Sequence, residues 1–110
     1  MNIDDLVNSI PQAELREQMV ELIAEWKINE KDVKDLTSLL AKWHGNVWFD
    51  SSEKSIEFLN QFQEFRASAV DGIGGLTLNE RLYWFGLFDC WDSSDEAGQN
   101  RIRNKLLTNA

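Results

Sequence analysis

The chain is short of the residues that cross-link, punctuate or catalyse. Of its 110 residues one is cysteine, Cys90, one is proline, Pro11, and one is histidine, His44. A single thiol excludes an intramolecular disulfide, so nothing in the sequence implies an oxidising compartment. A single histidine leaves few groups that ionise or attack near neutral pH, and acid–base or nucleophilic catalysis needs such groups. Long apolar runs are missing as well: the longest are a few residues, against the ~20 needed to span a bilayer. The N-terminus, Met1-Asn2-Ile3-Asp4-Asp5, has no positive n-region and no apolar h-region, so no ordinary secretory signal is expected there. The expectation is a cytoplasmic protein that is not an enzyme and needs no cofactor.

Positive charge is also scarce, with 11 Lys and Arg against 19 Asp and Glu, for a net charge of −8. Phosphate backbones and anionic lipid surfaces repel such a chain, so direct nucleic-acid binding and membrane association are poor expectations. A basic protein attracts it. The same charge also keeps a small domain in solution, which is the plainer reading of it.

Large apolar side chains are plentiful. Hydrophobic residues make up 43% of the chain, with five Trp and six Phe, a composition that argues against disorder. At this length the expectation is a single helical domain over residues 1–110 with one core, able to fold without a metal or a disulfide.

The apolar residues fall mostly at helical spacing. Ile3, Leu6, Val7 and Ile10 predict a short first helix stopping near Pro11. Ser9 is placed to cap a second, with Pro11 in its first turn, Gln12 at the capping-box position and a stripe of Leu15, Met19, Leu22, Ile23 and Trp26. Asn29 or Asp32 starts a third, with Val33, Leu36, Leu39, Leu40 and Trp43 inward. Gly45 suits a left-handed terminus for it. Val47-Trp48-Phe49 is the only segment that could pass for a strand, and it has no evident partner. Asp50-Ser51-Ser52 caps a fourth helix with Ile56, Leu59, Phe62, Phe65 and Ala69 on one face. After the flexible loop Asp71-Gly72-Ile73-Gly74-Gly75, Thr77-Leu78-Asn79-Glu80 forms a capping box. A fifth helix is expected from there through Leu82, Phe85, Leu87, Phe88 and Trp91. Ser93 or Ser94 caps a sixth, with Asp95 and Glu96 in its first turn, Ile102 and Leu106 inward, and Arg101, Arg103 and Lys105 near its end, where the helix dipole favours cations. The fold class expected is all-α, a compact irregular bundle of five or six helices.

Few motifs carry chemistry. His44 stands at a helix end, where a capping or surface role is expected. Cys90 lies among Asp89, Asp92 and Asp95, surroundings that disfavour a nucleophilic thiolate, so it reads as an ordinary buried or half-buried cysteine. Asp89, Asp92, Asp95 and Glu96 are the densest acidic cluster. Their spacing is not that of an EF-hand loop, and they read as a helix cap with solvated surface, or as a patch meeting lysines and arginines of a partner. Gly72-Ile73-Gly74-Gly75 follows no strand and precedes no Lys with Ser or Thr, so it is not a phosphate loop. Tyr83-Trp84-Phe85 sets three large rings side by side, and three consecutive helical residues cannot face one direction. Tyr83 and Trp84 are therefore candidate exposed anchors, or rings wedged against neighbouring elements. A second acidic row, Glu14, Glu17, Glu21 and Glu25, recurs along one side of the second helix, as solvated helix backs commonly do.

Gly75-Leu76-Thr77-Leu78-Asn79-Glu80-Arg81-Leu82-Tyr83, then Gly86-Leu87-Phe88-Asp89 and Trp91-Asp92, resemble a segment of small bacterial immunity proteins, with Arg101-Ile102-Arg103 and Lys105-Leu106-Leu107 similar too. These are the antitoxins of contact-dependent growth inhibition and related polymorphic toxin systems. The similarity covers a quarter to a third of the chain. It implies a protein that binds one cognate toxin domain, commonly a basic nuclease, and blocks its active site or its substrate's access. The resemblance does not place the contact; from the residues themselves, the acidic surface of Asp89, Asp92, Asp95 and Glu96, with Trp84 or Tyr83 as anchor, is the expected one. The other class of function the sequence allows is an acidic helical adaptor or charge mimic, and an exposed aromatic patch would equally serve a homodimer.

Overall fold

The computed structural model describes residues 1–108. Among them are seven α-helices and no strand: α1 (Ile3–Asn8), α2 (Ala13–Ile28), α3 (Val33–His44), α4 (Ser52–Arg66), α5 (Leu78–Trp84), α6 (Phe88–Asp92) and α7 (Glu96–Lys105). The all-α bundle stands, with one helix more than the spacing predicts.

Local caps explain most of the boundaries. Asn2, Asp32 and Thr77 each accept the N–H three residues on, while Asp5, Asp35 and Glu80 return a carboxylate to the cap's own N–H. Those contacts with Thr77 hold the Glu80 carboxyl below its usual pKa. Ser51 caps α4 through Lys54 N at 3.2 Å. Three caps differ from expectation. Ser9 closes α1 rather than opening α2: its Oγ lies 2.6 Å from Leu6 O and 2.8 Å from the Gln61 side chain, joining α1 to α4. Gln12 is itself the N-cap of α2, with Pro11 outside the helix, and its side chain makes no capping bond. Ser93 and Ser94 turn back onto carbonyls of α6, and Asp95 caps α7 by accepting Gly98 N at 2.9 Å.

The extra helix comes from Gly86. Its φ of +63° is left-handed, and two bonds close the α5 terminus around it: Gly86 N to Tyr83 O at 3.2 Å and Leu87 N to Leu82 O at 2.9 Å. This is a Schellman closure, which a residue without Cβ adopts at little cost. The helix expected to reach Trp91 therefore ends at Trp84 and restarts as α6. Gly45, by contrast, stays right-handed at φ −71°, because Asn46 closes α3 by donating its backbone N–H to Trp43 O and its amide to Lys42 O. Leu107, at φ 59°, makes the same kind of closure at the end of α7, where Thr108 N reaches Arg103 O at 2.9 Å. Arg81 braces it: its guanidinium donates to the carbonyls of Leu106 and Leu107 at 2.8 and 3.0 Å.

One continuous core runs through α1–α5 and α7, from Ile3, Leu6 and Ile10 through Met19, Trp26, Leu36 and Leu40 to Phe62, Phe85 and Ile102. On α3, Leu39 turns outward and Thr37 inward. On α4 the inner residues are Phe58, Phe62 and Phe65, and Ile56 is exposed instead of buried. Phe58 prevails because its ring stacks on His44 at 5.5 Å and faces Phe49 at 5.7 Å, contacts that α3 and the following loop supply. α4 then widens into a π-turn at Ala67–Asp71, with Gly72 N bonded to Ala67 O at 3.0 Å, which carries Ala69 and Val70 into the core. The expected flexible loop holds a 3-10 turn at Ile73–Gly75 with Ile73 buried.

Lys105 is the largest departure at a single residue. Expected only as a cation favoured by the dipole near a helix end, it is 1% exposed. Its Nζ lies 4.5 Å from the centre of the Trp26 ring and donates to Asn29 Oδ1 at 3.1 Å and Lys31 O at 2.8 Å. Trp26 in turn donates Nε1–H to Asp32 O at 2.8 Å. One lysine thus joins α7 to the α2–α3 connection.

Candidate functional site

Asp89 and Asp92 stand three residues apart on α6, and both are exposed. Asp95 and Glu96 follow at the start of α7, also exposed, and α6 packs on α7. Arg103 lays its guanidinium over the Trp91 ring at 4.9 Å, and Gln99 Nε2 donates to Trp91 O at 3.2 Å, so the two helices are tied beneath the acids. Asp95 has a structural task as well as a charge, since its carboxylate is the α7 cap. The four residues thus lie exposed on two consecutive helices that pack together.

The two candidate aromatics diverge. Tyr83 is 48% exposed. Trp84 is half-buried, its ring edge-on to Phe65 at 6.0 Å, where it borders a small cleft with Met1, Gln61, Glu64 and Ser68. Phe85 points into the core against Trp26 at 5.7 Å. The three rings thus take three directions, as the helical period requires.

The second acidic row is also in place: Glu14, Glu17, Glu21 and Glu25 are all exposed along α2. Among the described residues the only ion pairs are Lys27–Asp4 at 3.9 Å and Lys54–Asp50 at 3.7 Å. Neither acidic surface is neutralised by the protein's own cations. Several of those cations are engaged with carbonyls or rings instead, as Arg16, Arg81, Arg103 and Lys105 show.

The other chemistry-bearing residues have structural places. His44 is half-buried between Phe49 and Phe58, with Nε2 3.1 Å from Ser55 Oγ and 3.2 Å from Ser55 O. Cys90 is free and half-buried, packed against the core. Among the described residues no three His, Cys, Asp or Glu side chains converge as a metal ion would require. Among the same residues no helix is long and apolar enough to cross a membrane.

One residue was not singled out by sequence as a surface feature. Trp48 is 92% exposed. A signal lies in Val47-Trp48-Phe49, the one segment that could pass for a strand: in extended chain the middle side chain points away from its two neighbours.

No protein-family model, no curated protein and no solved structure matches this chain.

Proposed function

We propose that this protein is an immunity protein, a cytoplasmic antitoxin that binds one basic toxin domain and blocks its active site or its substrate's access. The observation that supports this is the unneutralised acidic surface: 19 carboxylate residues, of which only Asp4 and Asp50 pair with a cation among the described residues. On this reading Asp89, Asp92, Asp95 and Glu96 meet lysines and arginines of the toxin, with Tyr83 and the exposed edge of Trp84 as aromatic contacts. Charge complementarity accelerates encounter and selects against partners of like sign. The protein does no chemistry and touches neither nucleic acid nor membrane.

A charge mimic is the competing reading, and the acidic row of α2 is what favours it. Steps of three and four residues space those carboxylates about 4.5–6 Å apart along the helix. Phosphates on one DNA strand recur about every 3.4 Å along the axis, so the row is sparser than the charge it would imitate.

The test is affinity capture with the tagged protein, followed by charge reversal. Recovery of one basic toxin domain, retained through high salt, is the expected result. Asp89→Lys with Asp92→Lys should then weaken binding by about tenfold or more, and Glu17→Lys with Glu21→Lys should barely change it. A spread of unrelated basic proteins that wash off with salt would sink the immunity reading in favour of the mimic.

A further inference from the structure

The connection between α3 and α4 presents an indole to solvent from a fixed base. Trp48 is 92% exposed, while Val47 and Phe49 on either side pack against the core. The Phe49 ring lies 5.6 Å from His44 and 5.7 Å from Phe58, and His44 is held by Ser55 at 3.1 Å. Both flanks of Trp48 are therefore tied to helices, so seating it in a partner immobilises less chain than a slack loop would. Beside it α4 turns Ile56 outward at 57% exposure, and the two border a groove of about 560 Å³ floored by Gly45, Val47 and Ser55. Exposed Trp beside a second apolar side chain is the composition of a binding anchor, since Trp is enriched among residues that dominate interface energies.

Charge decides what the groove accepts. Glu53, exposed one turn before Ile56 on α4, has no cation within ion-pair distance among the described residues, whereas Lys54 is drawn to Asp50; Glu57 is exposed too but borders a separate cleft that it shares with Lys54 and Gln61. A second copy of this chain would bring another net charge of −8 to the first, and a two-fold contact would set the same carboxylates near their own counterparts. An anionic lipid surface meets the same repulsion. A basic protein does not.

We infer that the Trp48–Ile56 groove is a docking surface for a basic protein that offers an apolar recess bordered by lysine or arginine. Trp48 fills the recess, Ile56 packs at its edge, and the bordering cations meet Glu53. This surface lies near the N-terminal end of α4. Phe65, against which the Trp84 ring packs, is nine residues beyond Ile56, about 13 Å by helical rise. The groove is thus separate from the Tyr83–Trp84 contact, and the inference holds whether or not the partner is a toxin.

The experiment uses the full chain and its Trp48→Ser variant as baits in extracts of the encoding organism. Any basic protein captured is then purified, and its affinity for both forms is measured. Trp48→Ser removes no buried contact, so its circular dichroism and melting temperature should match those of the unaltered chain. The expected result is a basic partner bound about thirtyfold or more weakly by the variant. Acrylamide quenching of tryptophan emission should also fall on complex formation in the unaltered chain, and change little in Trp48→Phe. If that partner proves harmless when expressed alone, the immunity reading fails and the docking surface stands. A toxic partner bound equally by both forms would retain the immunity reading and overturn this inference. Capture of no basic partner, or a dimer in sedimentation equilibrium that Trp48→Ser dissolves, would overturn it too.

Discussion

At the scale of the residue, Lys105 shows how context sets a side chain's role. Burial pushes its pKa down to about 8 from the usual 10.5, helped by the nearby Arg101 charge and opposed by Glu30, Asp32 and Asp35. The unfolded chain therefore binds more protons than the folded one between roughly pH 8 and 10.5, and stability must rise with pH across that window. Below about pH 8 the lysine is charged in both states and its contribution is flat. Unfolding in urea at pH 7 and pH 10 should show the unaltered chain gaining on Lys105→Met by about 2–3 kcal/mol, which is the linkage accumulated between about pH 8 and pH 10. A difference that stays constant, or moves the other way, would mean the lysine is not held as described. Trp48 is the opposite case, a large apolar residue left outside because its two neighbours claim the inward positions. Neither role follows from residue type: Lys105 sits in the core and Trp48 in solvent.

At the scale of the element, caps within three or four residues were readable and long-range closures were not. Asp32 and Thr77 behave as their spacing predicts, because both partners of each capping box lie in the same short segment. Gln12 is the weak point: it caps α2 without a bond, and its Nε2 and Oε1 are buried without partners. Gln12→Asp should supply the missing acceptor to α2 and remove an unsatisfied amide. The expected gain is about 1 kcal/mol, read as a rise in melting temperature of roughly 4 °C. No change would indicate that the amide has found water. The break between α5 and α6 was marked by a glycine, yet apolar spacing runs across it from Leu82 to Trp91 without interruption. Only the left-handed turn at Gly86 divides them. The register of α4 was similarly ambiguous, since Phe62, Phe65 and Ala69 fit with either Ile56 or Phe58, and stacking on His44 selects Phe58.

At the scale of the whole molecule, charge is the dominant feature. With a net charge of −8 and two long ion pairs among the described residues, the folded chain carries self-repulsion that compact folding intensifies. Raising sodium chloride from roughly 0.02 M to roughly 0.5 M shortens the screening length from about 20 Å to a few Å. The melting temperature should rise by a few degrees as that repulsion is screened, and scanning calorimetry in the two buffers checks it. A fall would mean that attractive pairs outweigh repulsion. The same unneutralised surface is what a basic partner would meet.

The amino-acid sequence by itself determined the helical class, the starts of α3, α4 and α5, and the exposed acidic residues of α2 and of α6–α7. Those features depend on residues within one or two turns of each other, or on charge, which no packing alters. Tertiary structure alone decided that Lys105 is buried, that Ile56 is exposed, and that Trp84 leans on α4 while Tyr83 faces solvent. Each of those outcomes is settled by partners distant in sequence: Trp26 for Lys105, His44 and Phe49 for the α4 register, Phe65 for Trp84. Helical period states that neighbouring side chains must diverge, and only the shape of the opposing surface determines which one goes in.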